Sequence, residues 1–173
     1  MSTSLKNLTE ELVTPPANSE TYKIGIVRAE WNTPITGALE DAAIDYLNQA
    51  AIAPANITRI TVPGSFELTT GAQLLLERGL LDAVICLGCV IQGETRHFDF
   101  ICQAVANGLT NLAIQYKKPV IFGVLTTENL LQAEERAGGR LGNKGREAAL
   151  TAVKMVELFK TYKQAFKTTA GFK

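Results

Sequence analysis

The strongest constraint on the fold is a strand-like run followed by a helix-like pattern, repeated four times along the chain. The run AVICLG (Ala83–Gly88) is apolar throughout, as expected of a parallel strand that is buried on both faces. Three further runs read as strands: KIGIVR (Lys23–Arg28), ITRITV (Ile57–Val62) and PVIFGV (Pro119–Val124). This alternation predicts a three-layer α/β domain, in which helices cover both faces of a doubly wound, parallel, four-stranded sheet.

Apolar residues at steps of three and four indicate the helices. They are expected at Ile35 to Leu47 (capped by Asn32 or Thr33), around Phe66 to Leu76 (ending at Gly79), at Phe98 to Tyr116, and near Asn129 to Ala137 and Asn143 to Lys167. The last two are joined by the short loop GGRLG, with Gly138 as a helix stop and Asn143 as the next cap. We therefore expect one domain over residues 23–167, between tails of residues 1–22 and 168–173.

Charge and composition argue against several classes of function. Basic and acidic residues both number 17, so no net charge draws the chain to nucleic acid or to a membrane surface. No apolar run approaches the roughly 20 residues that cross a bilayer. The N-terminal residues lack the apolar core of a signal peptide. The three cysteines cannot all pair and have apolar neighbours. We therefore expect a reducing, cytoplasmic compartment.

The loops after the four strands should meet, because sheets of this kind bind ligands at the carboxyl ends of their strands. In order, these loops read AEWN, PGSFE, CVIQGETRH and LTTEN. The side chains expected around one crevice, near Phe122, are Trp31, Asn32, Ser65, Phe66, Glu67, Glu94, Thr95 and His97.

The third loop combines several reactive groups and holds the only histidine of the chain. Glu94 and Thr95 precede a long helix, whose free N–H groups suit a phosphate, although a plain helix cap also explains them. His97, in the first turn, is suited to proton transfer near neutral pH, or is an ordinary surface or core residue. Trp31 suits stacking on a planar ligand or covering the core. Phe66 and Phe122 by themselves read as core.

Two further motifs admit other chemistry. Cys86, Cys89, Cys102 and His97 could form a thiol or zinc site, but residues three apart on a strand point to opposite faces. GGRLGNKG is not a P-loop, because a helix and not a strand precedes it. Its charged neighbours Arg136, Lys144 and Glu147 have no periodic explanation, and surface solvation or function both remain open for them.

The segments IVRAEWN, VPGSFEL, LGCVIQGETRHFDFI, PVIFGVLTTEN, QAEERAG and GNKGREAALTA together resemble the lumazine synthase family. The resemblance runs in unbroken order from about Lys23 to Phe159. It implies a flavodoxin-like fold without cofactor or metal. It also implies the penultimate step of riboflavin biosynthesis, in which 5-amino-6-(ribitylamino)uracil and 3,4-dihydroxy-2-butanone 4-phosphate condense to 6,7-dimethyl-8-ribityllumazine. A non-catalytic flavin- or phosphate-binding module of flavodoxin-like fold is the competing hypothesis.

The resemblance also implies a role for each matching residue. Trp31 would stack on the pyrimidine, His97 would transfer protons, and Phe122 would form a second aromatic wall. The aminouracil would further contact Asn32, Ser65, Phe66, Glu67, Cys89, Val90, Ile91 and Lys144. The butanone phosphate would bind Glu94, Thr95 and Arg136, and Glu147 would be an accessory group.

An assembly is implied as well. In the family, each site lies between neighbouring subunits of a pentamer, with the Phe122 and Arg136 side donated by the neighbour and the N-terminal tail lying against that neighbour. The short GGRLG link has the length that permits a 60-subunit shell, whereas Pro15 and Pro16 oppose the tail pairing with a strand. Riboflavin synthase is a candidate partner. Gln92 departs from the family, because many relatives have Arg or Lys there.

Overall fold

The four predicted strands form one parallel sheet. The computed structural model describes residues 13–169, with side chains up to residue 163. The strands are β1 (Ile24–Ala29), β2 (Ile57–Val62), β3 (Ala83–Ile91) and β4 (Val120–Thr127). Their order in the sheet is β2-β1-β3-β4, and all three pairings are parallel. The doubly wound α/β prediction is therefore confirmed.

Five α-helices flank the sheet: α1 (Thr33–Gln49), α2 (Leu68–Glu77), α3 (His97–Tyr116), α4 (Leu130–Glu134) and α5 (Lys144–Thr169). Successive side chains of a strand point to opposite faces, so the sheet has two cores. Helices α1 and α5 pack on one face, against side chains such as Ile26 and Leu87. Helices α2 and α3 pack on the other, against side chains such as Val27 and Val84.

Strand β3 supports the site because it is long and deeply buried. Its residues from Ala83 to Cys89 are buried, and it pairs with β1 on one side and β4 on the other. It continues beyond Gly88, where the apolar run was expected to end, to Ile91. The strand therefore delivers the backbone of Cys89, Val90 and Ile91 to the carboxyl edge of the sheet.

The link between α4 and α5 differs from the prediction. Gly138 does not stop a helix, since α4 already ends at Glu134 and Glu135 caps it. Residues Ala137–Gly139 and Gly142–Asn143 instead pair as a small antiparallel hairpin, β5 and β6. Gly138 and Gly142 have φ values of 119° and 80°, which side chains rarely tolerate. Asn143 caps α5 as predicted, because its Oδ1 accepts from the N–H of Gly145 at 2.8 Å.

The part of the predicted N-terminal tail that the structure describes contacts its own domain. Val13 packs against the core beneath α1 and α5, and Tyr22 is buried there under the Lys160 ammonium, 4.4 Å from the ring centre. Residues 1–12 and 170–173 of the predicted tails lie outside the described residues, so the contact with a neighbouring subunit stays a prediction. Within residues 13–169, no helix combines the length and apolarity that a membrane span needs.

Candidate active site

A cavity of about 620 Å³ opens at the carboxyl ends of β1, β2 and β3. Its lining brings together most of the residues that the strand-end argument and the family resemblance selected: Trp31, Asn32, Ser65, Phe66, Glu67, Cys89, Val90, Ile91 and His97. Gly64 and Ile101 also line it and were not predicted as site residues. Gly64 belongs to the Pro63-Gly64 turn. Ile101 lies one helical turn after His97, so the helical spacing in the sequence could have identified it as a site residue.

The turn between β1 and α1 presents Trp31 at the mouth of the cavity. The indole is 73% exposed, so it does not cover the core. The backbone N–H of Trp31 donates to the carbonyl of Pro63 at 3.1 Å, which connects this turn to the end of β2. A flat aromatic surface therefore stands free beside a concave site, as stacking on a planar ligand requires.

The turn between β2 and α2 supplies an apolar wall and two polar groups. Phe66 precedes α2 and is 55% exposed, so it belongs to the cavity and not to the core. One carboxylate oxygen of Glu67 accepts from the Gly64 N–H at 3.0 Å, which fixes the Glu67 side chain. The Ser65 hydroxyl is buried and has no hydrogen-bond partner among the residues that the structure describes. Buried hydroxyls usually find a partner, so a ligand group is suited to this one.

The turn between β3 and α3 supplies an anion-binding geometry. Glu94 and Thr95 are exposed, and α3 begins directly after Arg96. The Thr95 hydroxyl accepts from the His97 N–H at 3.4 Å, a long contact, and the N–H groups of Asp99 and Phe100 donate to the Arg96 carbonyl, so the start of α3 offers the N–H groups of His97 and Phe98. Such N–H groups and the partial positive charge of the helix start attract phosphate. His97, the first residue of α3, lines the cavity.

Six predicted residues do not line this cavity: Glu94 and Thr95 just before α3, and Phe122, Arg136, Lys144 and Glu147 elsewhere. Phe122 lies in the middle of β4, opposite Cys86, because the strand continues past Val124 to Thr127. Its ring is 40% exposed on the outer part of the sheet.

Arg136, Lys144 and Glu147 follow α4 in sequence and bond to α4 or to one another. The Arg136 guanidinium donates to the Gln132 carbonyl at 3.2 Å, and the Arg136 carbonyl accepts from the Lys144 N–H. Lys144 and Glu147 form a 2.5 Å ion pair, and Glu147 is 8% exposed. Plain surface solvation therefore does not describe this pair. The lining of the cavity itself contains neither Lys nor Arg.

Gln92 faces a second, shallower cavity of about 410 Å³ and is absent from the lining of the first. Phe98, Cys102 and the β4 end at Thr126 and Thr127 share this second cavity. The departure of Gln92 from the charge usual in the family therefore does not alter the lining of the first cavity.

The three cysteines are free thiols held in their protonated form by burial. Cys86 packs with the α2/α3 core and Cys89 with the α1/α5 core, which confirms that they point to opposite faces. Burial raises the pKa of Cys89 to about 11 and also raises the pKa of Cys86. A protonated thiol is a poor nucleophile and metal ligand. Within residues 13–169, no three His, Cys, Asp or Glu side chains cluster in a way that suits a metal ion.

Comparison with known proteins gives one family throughout. The sequence model described as 6,7-dimethyl-8-ribityllumazine synthase matches residues 21–160, a range that includes every residue of the first cavity. The protein of that name from Cytophaga hutchinsonii is 56% identical over 156 residues, which cover 90% of this chain and 98% of the relative. The Parabacteroides distasonis protein is 51% identical with the same coverage. The Bdellovibrio bacteriovorus protein is 47% identical over 84% of this chain and 80% of its own.

Proposed function

The chain belongs to the 6,7-dimethyl-8-ribityllumazine synthase family, and from this premise we propose how its residues perform the reaction. It is a transferase of riboflavin biosynthesis that condenses 5-amino-6-(ribitylamino)uracil with 3,4-dihydroxy-2-butanone 4-phosphate, with loss of phosphate and water. The observation that carries the assignment is the family match over residues 21–160, at up to 56% identity among the relatives compared. The residue roles, the assembly and the location below are proposals.

The aminouracil occupies the cavity between Trp31 and the end of β3. The exposed indole offers one face to the pyrimidine, and the backbone of Cys89, Val90 and Ile91 offers hydrogen-bonding groups along the ring edge. The buried Ser65 hydroxyl and the fixed Glu67 carboxylate are placed to bind hydroxyls of the ribityl chain. Phe66 closes the apolar side of the cavity.

The butanone phosphate binds at the start of α3, next to Glu94 and Thr95. First-turn N–H groups suit its phosphate, but the cavity lining contains neither Lys nor Arg to neutralise a dianion. Arg136 of a second copy supplies this charge, and Phe122 of the same copy closes the ring site as a second aromatic wall. Support comes from the position of both residues outside the cavity of their own chain, with the Phe122 ring exposed. The Lys144–Glu147 pair, bonded through its backbone to Arg136, is the accessory polar group beside this half of the site.

His97 moves the protons of the condensation. Attack of the 5-amino group on the ketone and loss of water require protons to leave nitrogen and to reach oxygen, and elimination of phosphate requires a proton to leave the carbon next to the imine. His97 lines the ring site and directly follows the phosphate turn in sequence, which supports a role toward both substrates. Holding two reactive molecules together supplies most of the acceleration, so His97 tunes the reaction and is not its sole source.

A site shared by two copies requires an oligomer. We propose a pentamer in the cytoplasm with five shared sites. The tight β5–β6 hairpin keeps the link between α4 and α5 short, which supports closure of such rings into a 60-subunit shell. Riboflavin synthase is the candidate protein partner.

The test of the proposed function mixes both substrates with the purified protein and follows product fluorescence. We expect product formation well above the spontaneous rate, with saturation in each substrate. A protein that keeps its far-UV circular dichroism but forms product only at the spontaneous rate would overturn the assignment. Riboflavin binding without turnover would then favour the flavin-binding module instead.

A further inference from the structure

Asn32 has an unusual conformation for a residue at the start of a helix. It is the N-cap of α1, yet its backbone is left-handed, with φ 59° and ψ 44°, and its side chain caps no N–H of the helix. Its amide Nδ2 instead donates to the carbonyl of Cys89 at 3.0 Å, across from β1 to β3. A capping residue normally uses its side-chain oxygen on the helix, so this side chain has another task.

The bond continues the β1–β3 ladder beyond its end. The last backbone pair of this ladder is Arg28 with Leu87, whereas β3 runs on to Ile91 and pairs there with β4. On the side of β3 that faces β1, where β1 has already ended, the carbonyl of Cys89 accepts from the Asn32 amide. A side chain thus takes the place of a strand at the segment that forms the cavity wall.

The same bond fixes the preceding residue. Trp31 is tied on one side by its N–H to the Pro63 carbonyl at 3.1 Å, and on the other by Asn32 to β3. A methyl group built on Gly64 would meet the Trp31 Cδ1 at 3.6 Å, so the indole lies over that glycine. The ring is otherwise largely exposed and has no core packing to hold its orientation.

We propose that Asn32 is a positioning residue that orients Trp31 and the Cys89 carbonyl, and that it is not itself a ligand of the aminouracil. This revises the role that the family resemblance implied for Asn32, and it rests on the proposed ring site beside Trp31. The left-handed backbone aims the amide at β3, and Asn is among the few residues that adopt this conformation at small cost. The Asn32 amide donates its hydrogen bond to the protein and thereby fixes the orientation of the binding surface.

The test replaces Asn32 by Gly, which permits the left-handed backbone but removes the amide. Asn18→Gly is the matched control, because Asn18 is also a left-handed cap (φ 62°) without a side-chain capping bond, and it precedes the amino end of β1, whereas the cavity opens at the carboxyl ends of the strands. Trp31 is the only tryptophan, so the anisotropy of intrinsic fluorescence reports its motion directly. We expect lower anisotropy in Asn32→Gly and no change in Asn18→Gly.

Kinetics separate positioning from direct binding. Asn32→Gly should raise KM for the aminouracil about fivefold, the size expected for one neutral hydrogen bond, while kcat and KM for the butanone phosphate stay nearly constant. In a Trp31→Ala background the same substitution should change KM for the aminouracil much less, because the effects of substituting two residues that act through each other are not additive.

The outcomes distinguish this inference from the proposed function. Unchanged anisotropy in Asn32→Gly, or full additivity with Trp31→Ala, overturns the positioning role. Lower anisotropy with an unchanged KM for the aminouracil also overturns it, since the ring would then not serve that substrate. A wild-type protein without synthase activity overturns the proposed function, whatever the anisotropy shows. If Asn32→Gly does not fold, Asn32→Asp tests the same bond, because Asp adopts the left-handed backbone and its carboxylate cannot donate to Cys89.

Discussion

Gly145→Ala should separate α1 and α5, the two helices that pack together on one face of the sheet. A methyl group at Gly145 in α5 would lie 1.8 Å from the carbonyl oxygen of Leu39 in α1 and 2.5 Å from its carbonyl carbon. The obstacle is backbone, so no rotamer change relieves it, and the helices must move apart by roughly 1.5 Å to reach ordinary contact. Leu39 is fully buried, so this movement opens a core that otherwise packs without gaps.

The expected cost is about 3 kcal/mol or more in free energy of unfolding, at the upper end of overpacking substitutions. The gain in helix propensity offsets at most about 1 kcal/mol. Urea unfolding followed by circular dichroism, at one fixed protein concentration, measures the difference. Gly37→Ala in α1 is the matched control, because nothing lies within 4 Å of its added methyl group, and we expect it to stabilise by about 0.5–1 kcal/mol. A Gly145→Ala midpoint equal to that of wild type would refute the close contact between α1 and α5.

Four further predictions concern the site and the assembly. His97→Ala should lower kcat by roughly one to three orders of magnitude with an unchanged circular dichroism spectrum, since positioning persists without the imidazole; unchanged turnover would remove His97 from the mechanism. Arg136→Ala should nearly abolish activity but leave aminouracil binding, measured by calorimetry, almost unaltered; equal weakening of both substrates would make Arg136 structural. Co-refolding these two variants should restore part of the activity, because some shared sites then receive an intact half from each chain. Sedimentation should show five chains or a multiple of five. A fully active monomer would contradict both expectations. Burial raises the pKa of Cys89 to about 11 from 9.0, so its thiol should resist alkylation at pH 8. The free energy of unfolding should also fall as the pH rises from 9 towards 11, because the unfolded chain loses this proton first. Cys89→Ser should reduce that slope.

The sheet was predictable because four strand-like runs alternate with helical patterns, as expected of a doubly wound parallel sheet. Ile57–Val62 matches β2 exactly as predicted, and AVICLG gives the centre of β3. The strand-end rule then placed Trp31, Phe66 and His97 at one cavity without any knowledge of contacts. Regular patterns average over many residues, so they are robust to local exceptions.

The rest depended on single contacts that leave no periodic signal. The β5–β6 hairpin is too short for a pattern, so a glycine that the hairpin needs at φ 119° was read as a helix stop. Phe66 alone read as core, yet it is exposed because the chain turns before α2 begins. The Asn32 bond to Cys89 joins residues far apart in sequence, and nothing in the letters WN indicates whether an amide caps its own helix or reaches another strand.

Strand β4 is an edge strand of the sheet, and this position makes the folded chain sensitive to how fast the protein is synthesised. Among residues 13–169 no strand pairs with the outer side of Val120–Thr127, so the N–H and C=O groups on that side remain a template for strand addition. A newly made chain that has reached this fold is therefore open to addition by the wrong strand until the margin is covered. For the proposed pentamer, the yield of assembled protein should then depend on how quickly chains are supplied and meet each other, and slower synthesis at one fixed temperature should reduce aggregation.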